Sequence, residues 1–331
     1  MALLNPPDIL PEAMRFIVRA MLALPSGEVD REELISLVAP AGLAETMTDM
    51  GRDSEEIDDE EERSDPKKGG EKIAKDSLTA LQTVGIVQIS RDTVVFGTLP
   101  DNWKKPLDVR ADRFATHLLR QVLSTADPTV PIGDSRGVMD LVHSLAVLHH
   151  AENPLQPFTG LEPGKGKKDP SRHFAEYQTN LFGDDRSNWP IPNKEQWLPL
   201  RRWAPYLGLA RTIGPNGLIS DASIALSQGL SDLTPGDYPI DNFVSRCAAV
   251  VPFLDGGPFY FAHQQSQSGE RAVLSPGLSV SLRQLEADGL LSFDWKSDTG
   301  TRTVRVIGDN SNDIVVSHVK WAGPTLKGGK R

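Results

Sequence analysis

Cysteine is almost absent from this chain. The 331 residues contain one, Cys247, which excludes an internal disulfide and a cysteine-based zinc cluster. Cys247 lies on the apolar face of a predicted helix at 239–254. We therefore expect a buried, inert thiol at this position rather than a nucleophile.

Long apolar runs and targeting signals are also missing. No run of 18 apolar residues occurs, so we expect no membrane span and no membrane partner. Residues 1–15, MALLNPPDILPEAMR, lack the basic segment and the apolar segment of a signal peptide. The sequence therefore predicts a cytoplasmic protein.

The motifs of the common enzyme classes are missing as well. No G-x-S-x-G, H-E-x-x-H or G-x-G-x-x-G occurs, and the glycine–lysine loop at 164–167 does not have the spacing of a P-loop. His143 shares a predicted helix with His149 and His150, but no acidic or cysteine partner lies at ligand spacing. We expect His143 at the surface or half buried, and we expect no metal, no cofactor and no enzymatic activity.

Negative charge is concentrated in one segment. The net charge of the chain is −10, and residues 45–65 contain eleven acidic and two arginine residues. This segment has few apolar residues and no periodicity, so we expect a disordered insertion at about 44–70. It is either a tolerated solvated loop, a mask for nearby cations or an interaction tail.

A helix followed by a glycine is predicted near the C-terminus. Leu278, Leu282 and Leu285 have the spacing of one helical face. Ser275 precedes them as a predicted N-cap, and Gly289 follows where a helix end adopts the left-handed conformation. The next residues are apolar and polar in alternation, which predicts a β-hairpin.

The hairpin is predicted to turn at SDTGT. Phe293 and Trp295 precede this turn, and Val304 and Val306 follow it. A helix, a glycine and a two-stranded hairpin form the second half of a winged helix-turn-helix. In many such proteins the helix enters the DNA major groove.

An internal repeat supports this interpretation. The pattern recurs 204 positions earlier, where Leu78, Leu81 and Gly85 take the places of two leucines and the glycine, and a second hairpin turns at SRDT. A weaker third copy is predicted at 195–220, with Gly208 after a helix and a hairpin at GPNG. Two further helices are predicted upstream of the first copy, at 10–24 and, with Asp30 as N-cap, at 29–40.

The predicted fold class is α+β, mainly α with small β-hairpins. Tandem winged helix-turn-helix units flank a helical middle region. The predicted divisions are an N-terminal unit at 1–104 with the acidic insertion, a middle domain at 105–235 that contains the possible third copy near 193–220, a C-terminal unit at 236–310 and a tail at 311–331.

Six residues of the C-terminal unit are candidates for contacts with double-stranded DNA. When the helix leucines face the core, its outward positions can reach base edges or phosphates, and the hairpin cations can reach phosphates. The candidates are Ser279, Arg283 and Gln284 on the helix and Lys296, Arg302 and Arg305 on the hairpin. The corresponding face of the first unit is less basic, which favours protein contact; it comprises Lys72, Asp76, Thr79 and Thr83.

The opening residues 1–25 and the layout of winged unit, helical middle and second winged unit resemble the DpdG family. Its members are encoded in bacterial dpd clusters, which place 7-deazaguanine derivatives in DNA and restrict unmodified DNA. The resemblance implies a phage-defence accessory with DNA or with the proteins of a multi-subunit complex as its partners. It implies no catalytic residue.

Three functional hypotheses stay open at this point. The first is a non-enzymatic DNA-binding or adaptor subunit of such a system. The second is a winged-helix transcriptional regulator, for which a symmetric dimer and a palindromic footprint would be expected. The third is a metal-dependent nuclease that uses Asp294 and Lys296, although it would need a further acidic residue on a larger sheet.

Overall fold

The computed structural model describes residues 2–39, 66–134, 136–162, 172–260, 273–297, 300–306 and 313–324. It divides into two compact units. The first comprises 1–126 with 135–139, and the second comprises 127–134 with 140–331. The segment 105–126, which the sequence analysis assigned to the middle domain, therefore lies with the first unit. The predicted middle and C-terminal domains share the second.

The first unit contains four helices and one three-stranded sheet among its described residues. Asp30 is the N-cap predicted from the sequence, and its carboxylate accepts from the N–H groups of Glu32 and Glu33 at 2.9 and 3.0 Å. The elements are α1 (Pro11–Ala23), β1 (Glu28–Asp30), α2 (Arg31–Val38), α3 (Pro66–Thr83), β2 (Val87–Ser90), β3 (Thr93–Phe96), a 3-10 turn (Pro106–Asp108) and α4 (Ala111–Thr125).

The second unit contains six helices and three small sheets in its described part. The first half has α5 (Met139–His149), β4 (Phe158–Gly160), β5 (Arg172–His173), α6 (Phe174–Phe182), α7 (Trp197–Tyr206), β6 (Ala210–Ile213) and β7 (Gly217–Ser220). The second half has α8 (Ser223–Gly229), β8 (Gly236–Pro239), α9 (Ile240–Val250), α10 (Pro276–Ala287), β9 (Leu291–Asp294), β10 (Arg302–Val304), β11 (Ile314–Val316) and β12 (His318–Trp321).

Apart from β5 in one of them and β10 and β11 in another, three segments share one order of elements: a helix, a strand, two helices and two strands. We call them the N copy (α1 to β3), the M copy (α5 to β7) and the C copy (α8 to β12). In each sheet the last of these strands lies between the other two, in the orders β1-β3-β2, β4-β7-β6 and β8-β12-β9, with β5 added beside β4. The last strand is antiparallel to both neighbours in every copy.

The same helix end recurs in all three copies. Gly85, Gly208 and Gly289 have φ of 75°, 71° and 72°, a left-handed conformation that glycine adopts without steric cost. In each copy the residue after the glycine donates its N–H to a carbonyl five positions back, at 2.9–3.0 Å. This is the Schellman motif, and it turns the chain from helix into strand at equivalent positions.

The partner of strand β9 differs from the prediction. β9 pairs with β12, so Leu291 lies opposite Trp321 and Phe293 lies opposite Val319. The predicted hairpin between 291–295 and 302–306 is wrong, because the chain first forms the separate ribbon β10–β11 and only then returns to the sheet. The segment 311–331, set apart as a tail, therefore contributes the central strand of this sheet.

The structure can be compared with three other expectations: the end of the acidic insertion, the helical middle region and the absence of a membrane span. The acidic insertion was predicted to extend to residue 70, but α3 begins at Pro66; residues 40–65 lie outside the described residues. The middle region, predicted to be helical, also contains the four-stranded sheet β5-β4-β7-β6. None of the helices in the described ranges is long and apolar enough to cross a bilayer.

Candidate DNA interface

Helix α10, the predicted DNA-contacting helix, begins at a hydrogen-bonded N-cap. The Ser275 hydroxyl accepts from the N–H of Leu278 at 3.2 Å, as the sequence predicted. The carboxylate of Asp255 fixes this cap, because it accepts from the N–H of Ser275 at 2.8 Å and also from its hydroxyl. Burial raises the pKa of Asp255. The start of the helix is thus anchored in the interior of the unit.

Two neighbouring helices cover one side of α10. A Cβ atom built on Gly277 would lie 2.6 Å from the carbonyl oxygen of His149, at the end of α5. The hydroxyl of Ser281 accepts from the N–H of Ala222 at 3.0 Å, next to α8. Both contacts are with the backbone, so this side of α10 has little freedom to move.

The ribbon β10–β11 covers the side that was predicted to face DNA. Leu274 donates its N–H to the Thr303 carbonyl at 2.9 Å, and Arg305 donates its N–H to the Ser279 hydroxyl at 3.1 Å. Val304, on the ribbon, is fully buried, and so is Ser279. The prediction that Ser279 faces outward is therefore wrong, because the extra ribbon lies across this part of the helix.

The polar side chains of four other candidates are bonded to acidic residues. Arg283 forms an ion pair with Glu286, and Gln284 donates to Asp288 at 3.0 Å. The two remaining pairs are Lys296 with Asp237 and, at 2.7 Å, Arg302 with Asp241. Lys296 therefore points to β8, and Arg302 points to the start of α9. The structure does not bring the six candidates together into one positively charged surface.

Asp294 and Lys296, the residues of the nuclease hypothesis, belong to a chain of four charges. Lys320 binds Asp294 at 2.8 Å, while Lys296 binds Asp237. The hydrogen bond from Lys320 lowers the pKa of Asp294. Among the described residues no group of three or more His, Cys, Asp or Glu side chains has the geometry of a metal site. The arrangement provides charge compensation across the exposed face of the sheet.

Three buried titratable side chains of the second unit belong to its core. Cys247 is fully buried, as predicted, and burial raises the pKa of its thiol. His143 is buried, so the prediction of a surface or half-buried residue is wrong. His149 donates from Nε2 to the Leu209 carbonyl at 2.8 Å, and burial lowers its pKa to about 4. These groups are neutral parts of the core.

Three of the outward residues predicted for the N copy form hydrogen bonds within their own helix or an ion pair with a nearby residue. Lys72 forms an ion pair with Asp8 at 2.5 Å. Thr79 and Thr83 donate to backbone carbonyls one turn earlier, at 2.9 and 3.0 Å. Burial raises the pKa of Asp76. The polar groups of this face are therefore engaged within the first unit, and protein contact at this face stays a prediction.

These elements define an α+β protein that contains the N, M and C copies, each made of helices and a small sheet. In the C copy, other elements of the same unit cover helix α10. The chain belongs to the DpdG-like family, whose family model matches residues 1–299. Membership associates it with a dpd system. Searches of curated proteins and of solved structures gave no match.

Proposed function

We propose that the chain is a non-enzymatic adaptor subunit of a bacterial dpd modification and restriction system, and that its three copies are winged helix-turn-helix units. The order first-third-second of the strands and the helix–glycine–strand connection support the winged-helix assignment. The shared geometry supports a common origin of the copies. It is compatible with DNA contact as well as with protein contact.

The covered face of α10 is the observation that carries the adaptor role. A helix that reads DNA must enter a groove about 12 Å wide, which requires a free face along its length. Gly277 is packed against the backbone of α5, and Ser279 lies beneath the β10–β11 ribbon. The exposed remainder of the helix carries paired charges, which is typical of a surface that does not attract a polyanion.

Two exposed apolar residues of the C copy are the proposed anchor points for a partner protein. Trp295, directly after β9, has 60% of its surface exposed, and Val315 on β11 has 51%. Tryptophan is enriched among the residues that dominate protein–protein binding energy. The residues on either side of Trp295 in the sequence belong to charged pairs, namely Lys320–Asp294 and Lys296–Asp237. An apolar contact with a polar rim is the usual anatomy of a protein interface.

The test is co-purification with the other proteins encoded in the same cluster. Tagged wild-type chain should retain at least one of them through a wash at physiological salt. Trp295→Ala together with Val315→Ala should lower the retained amount by about tenfold or more, since truncation of a central aromatic typically costs 2 kcal/mol or more. Ile224→Ala, at a residue with 43% exposure on α8, is the matched control and should retain the partner.

The adaptor role would be refuted if wild-type chain retained none of these proteins. The docking surface alone would be refuted if the double variant and the control retained the partner equally. DNA contacts of Arg283, Gln284, Lys296, Arg302 and Arg305 stay a prediction; exposed ion pairs are typically worth 0–1 kcal/mol, so phosphates could displace the carboxylates. The regulator and nuclease hypotheses also stay untested.

A further inference from the structure

Among the described residues, four cations of the first unit form no ion pair, unlike Arg283, Lys296, Arg302 and Lys320 of the C copy. Lys104, Lys105, Arg113 and Arg120 are exposed. In the described part of the chain, the ion pairs of the first unit involve other cations, namely Arg15, Lys72, Lys75 and Arg110. We call these four residues the basic surface.

A rigid frame holds the loop that carries the two lysines. Trp103 is buried; its ring stacks on Phe114, with centroids 6.2 Å apart, and lies edge-on to His117 at 5.1 Å. One carboxylate oxygen of Asp108 accepts from the N–H groups of Lys104 and Lys105, at 2.9 and 2.8 Å. The backbone of the loop is therefore fixed against α4, so only the two lysine side chains lose conformational freedom when they bind a ligand.

The two arginines lie on one face of α4. They are seven residues apart, which is two helical turns and roughly 10.5 Å along the axis. Backbone hydrogen bonds from the lysine loop lower the pKa of Asp108, and the charge of Arg113 adds to this effect. Burial lowers the pKa of His117, and the charge of Arg120 contributes. Arg113 directly precedes Phe114, on which Trp103 stacks, and Arg120 follows one turn after His117, whose ring also packs on Trp103.

We propose that the basic surface binds the phosphate backbone of duplex DNA without reading its sequence. One DNA strand places a phosphate about every 3.4 Å along the axis, so the distance between the arginines spans about three phosphates. These cations form no ion pair among the described residues, so they can neutralise phosphates and release the DNA counterions without breaking one. The Asp108 carboxylate beside them is held by the backbone N–H groups of Lys104 and Lys105. The proposal is independent of the adaptor role, because it concerns a different unit and a different class of ligand.

An acidic protein is the competing occupant. Leu107 lies between the lysines and the arginines in sequence and is 79% exposed, and an acidic partner with an apolar pocket would use it as an anchor. A phosphate backbone offers no such pocket. The response of binding to Leu107→Ala therefore separates the two occupants, and the side chain is exposed enough for its truncation to leave the fold intact.

The experiment measures binding of the full-length chain to a fluorescein-labelled 20-base-pair duplex of arbitrary sequence by anisotropy, from 25 to 200 mM salt. Four phosphate contacts predict a slope of log K against log salt of about −3.6, from about −0.9 per contact. Replacement of all four residues of the basic surface by glutamine should weaken binding at 50 mM salt by about 100-fold or more. It should also bring the slope close to zero.

The matched control removes the same number of charges from ion pairs outside the basic surface and outside the predicted DNA contacts: Lys72→Gln, Lys75→Gln, Arg186→Gln and Lys320→Gln. This variant and Leu107→Ala should each keep affinity within about threefold of wild type and keep the slope. Circular dichroism melting of every variant should match wild type, since all the altered side chains are at least partly exposed.

Three results would overturn the proposal. The first is no binding of wild-type chain to the duplex at 25 mM salt. The second is an equal loss of affinity in the two quadruple variants, because the effect would then be one of total charge. The third is displacement of the duplex by polyglutamate of the same charge with equal potency, combined with loss of polyglutamate binding in Leu107→Ala, which would identify an acidic protein site.

Discussion

Replacing Gly277 by alanine tests the conclusion that α10 is covered by its own unit. The residue is in the first turn of this helix, after Ser275 and Pro276. Alanine is the better helix former by roughly 0.5–1 kcal/mol. If the site were open to solvent, as in a helix that waits to enter a DNA groove, the substitution would therefore stabilise the protein.

The structure predicts the opposite sign. The new Cβ would lie 2.6 Å from the carbonyl oxygen of His149, whereas ordinary contact begins at 3.4 Å. The obstacle is backbone, so either α10 or the end of α5 must shift by most of an ångström. Insertion of a methyl group into a well-packed site typically costs 1–3 kcal/mol. After the helix-propensity gain is subtracted, we expect a net destabilisation of about 1–2 kcal/mol.

Thermal unfolding of the full chain, followed by circular dichroism, measures the effect. For a unit of about 200 residues, 1 kcal/mol corresponds to roughly 2–4 °C, so the melting temperature of the second unit should fall by about 2–8 °C. Val280→Ala, on the same helix at a half-buried position, should change it by less. An unchanged or higher melting temperature in Gly277→Ala would mean that α10 is not packed against α5, and the adaptor argument would lose its main support.

Two further predictions concern the core of the second unit. Leu285→Ala should lower the free energy of unfolding by roughly 2–5 kcal/mol, because the side chain is fully buried and its truncation leaves a cavity. The control, Arg283→Ala, should change the free energy of unfolding by less than about 0.5 kcal/mol. Similar urea midpoints for the two variants would contradict the observed register of the helix. His149, with a pKa lowered to about 4, takes up its proton at higher pH in the unfolded chain than in the folded one. The free energy of unfolding should therefore be independent of this group above about pH 6.5 and should decrease by up to about 3 kcal/mol as the pH falls towards 4. Urea unfolding at pH 7, 6 and 5 measures this, and His149→Gln should flatten the dependence; a variant as pH-sensitive as wild type would show that another group is responsible.

Local signals in the sequence were sufficient for the repeated element. The leucine spacing in α10, the N-caps Asp30 and Ser275, and the glycines that end α3, α7 and α10 each depend on residues within one or two turns of each other. Such signals are readable without a tertiary structure because helix periodicity, capping and left-handed glycine are properties of the local backbone. For the same reason the third copy could be recognised by its glycine and its hairpin although its apolar spacing is irregular.

The sequence offered weaker signals for two features that were missed. The alternation in IVVSHVKW, residues 314–321, is typical of strands and could have placed β12 in the sheet and not in a tail. The basic surface was overlooked because three of its four cations, Lys105, Arg113 and Arg120, were assigned to the middle domain, whereas Lys104 was assigned to the N-terminal unit. That its cations form no ion pair with the described carboxylates follows only from the tertiary positions of those groups.

The sequence by itself determined the local structure that recurs along the chain: the apolar face and N-cap of α10, the N-cap of α2 and the glycines that end α3, α7 and α10. Tertiary structure decided which faces of these elements are exposed to solvent and which charges on them are paired. Ser279 and Arg283 lie on the same helix and both read as outward, yet the ribbon buries the first and leaves the second beside Glu286. The physical reason is that burial and ion pairing join residues far apart in the chain, such as Ser279 and Arg305, 26 positions apart, and Arg302 and Asp241, 61 positions apart. Periodicity along the chain carries no information about such pairs.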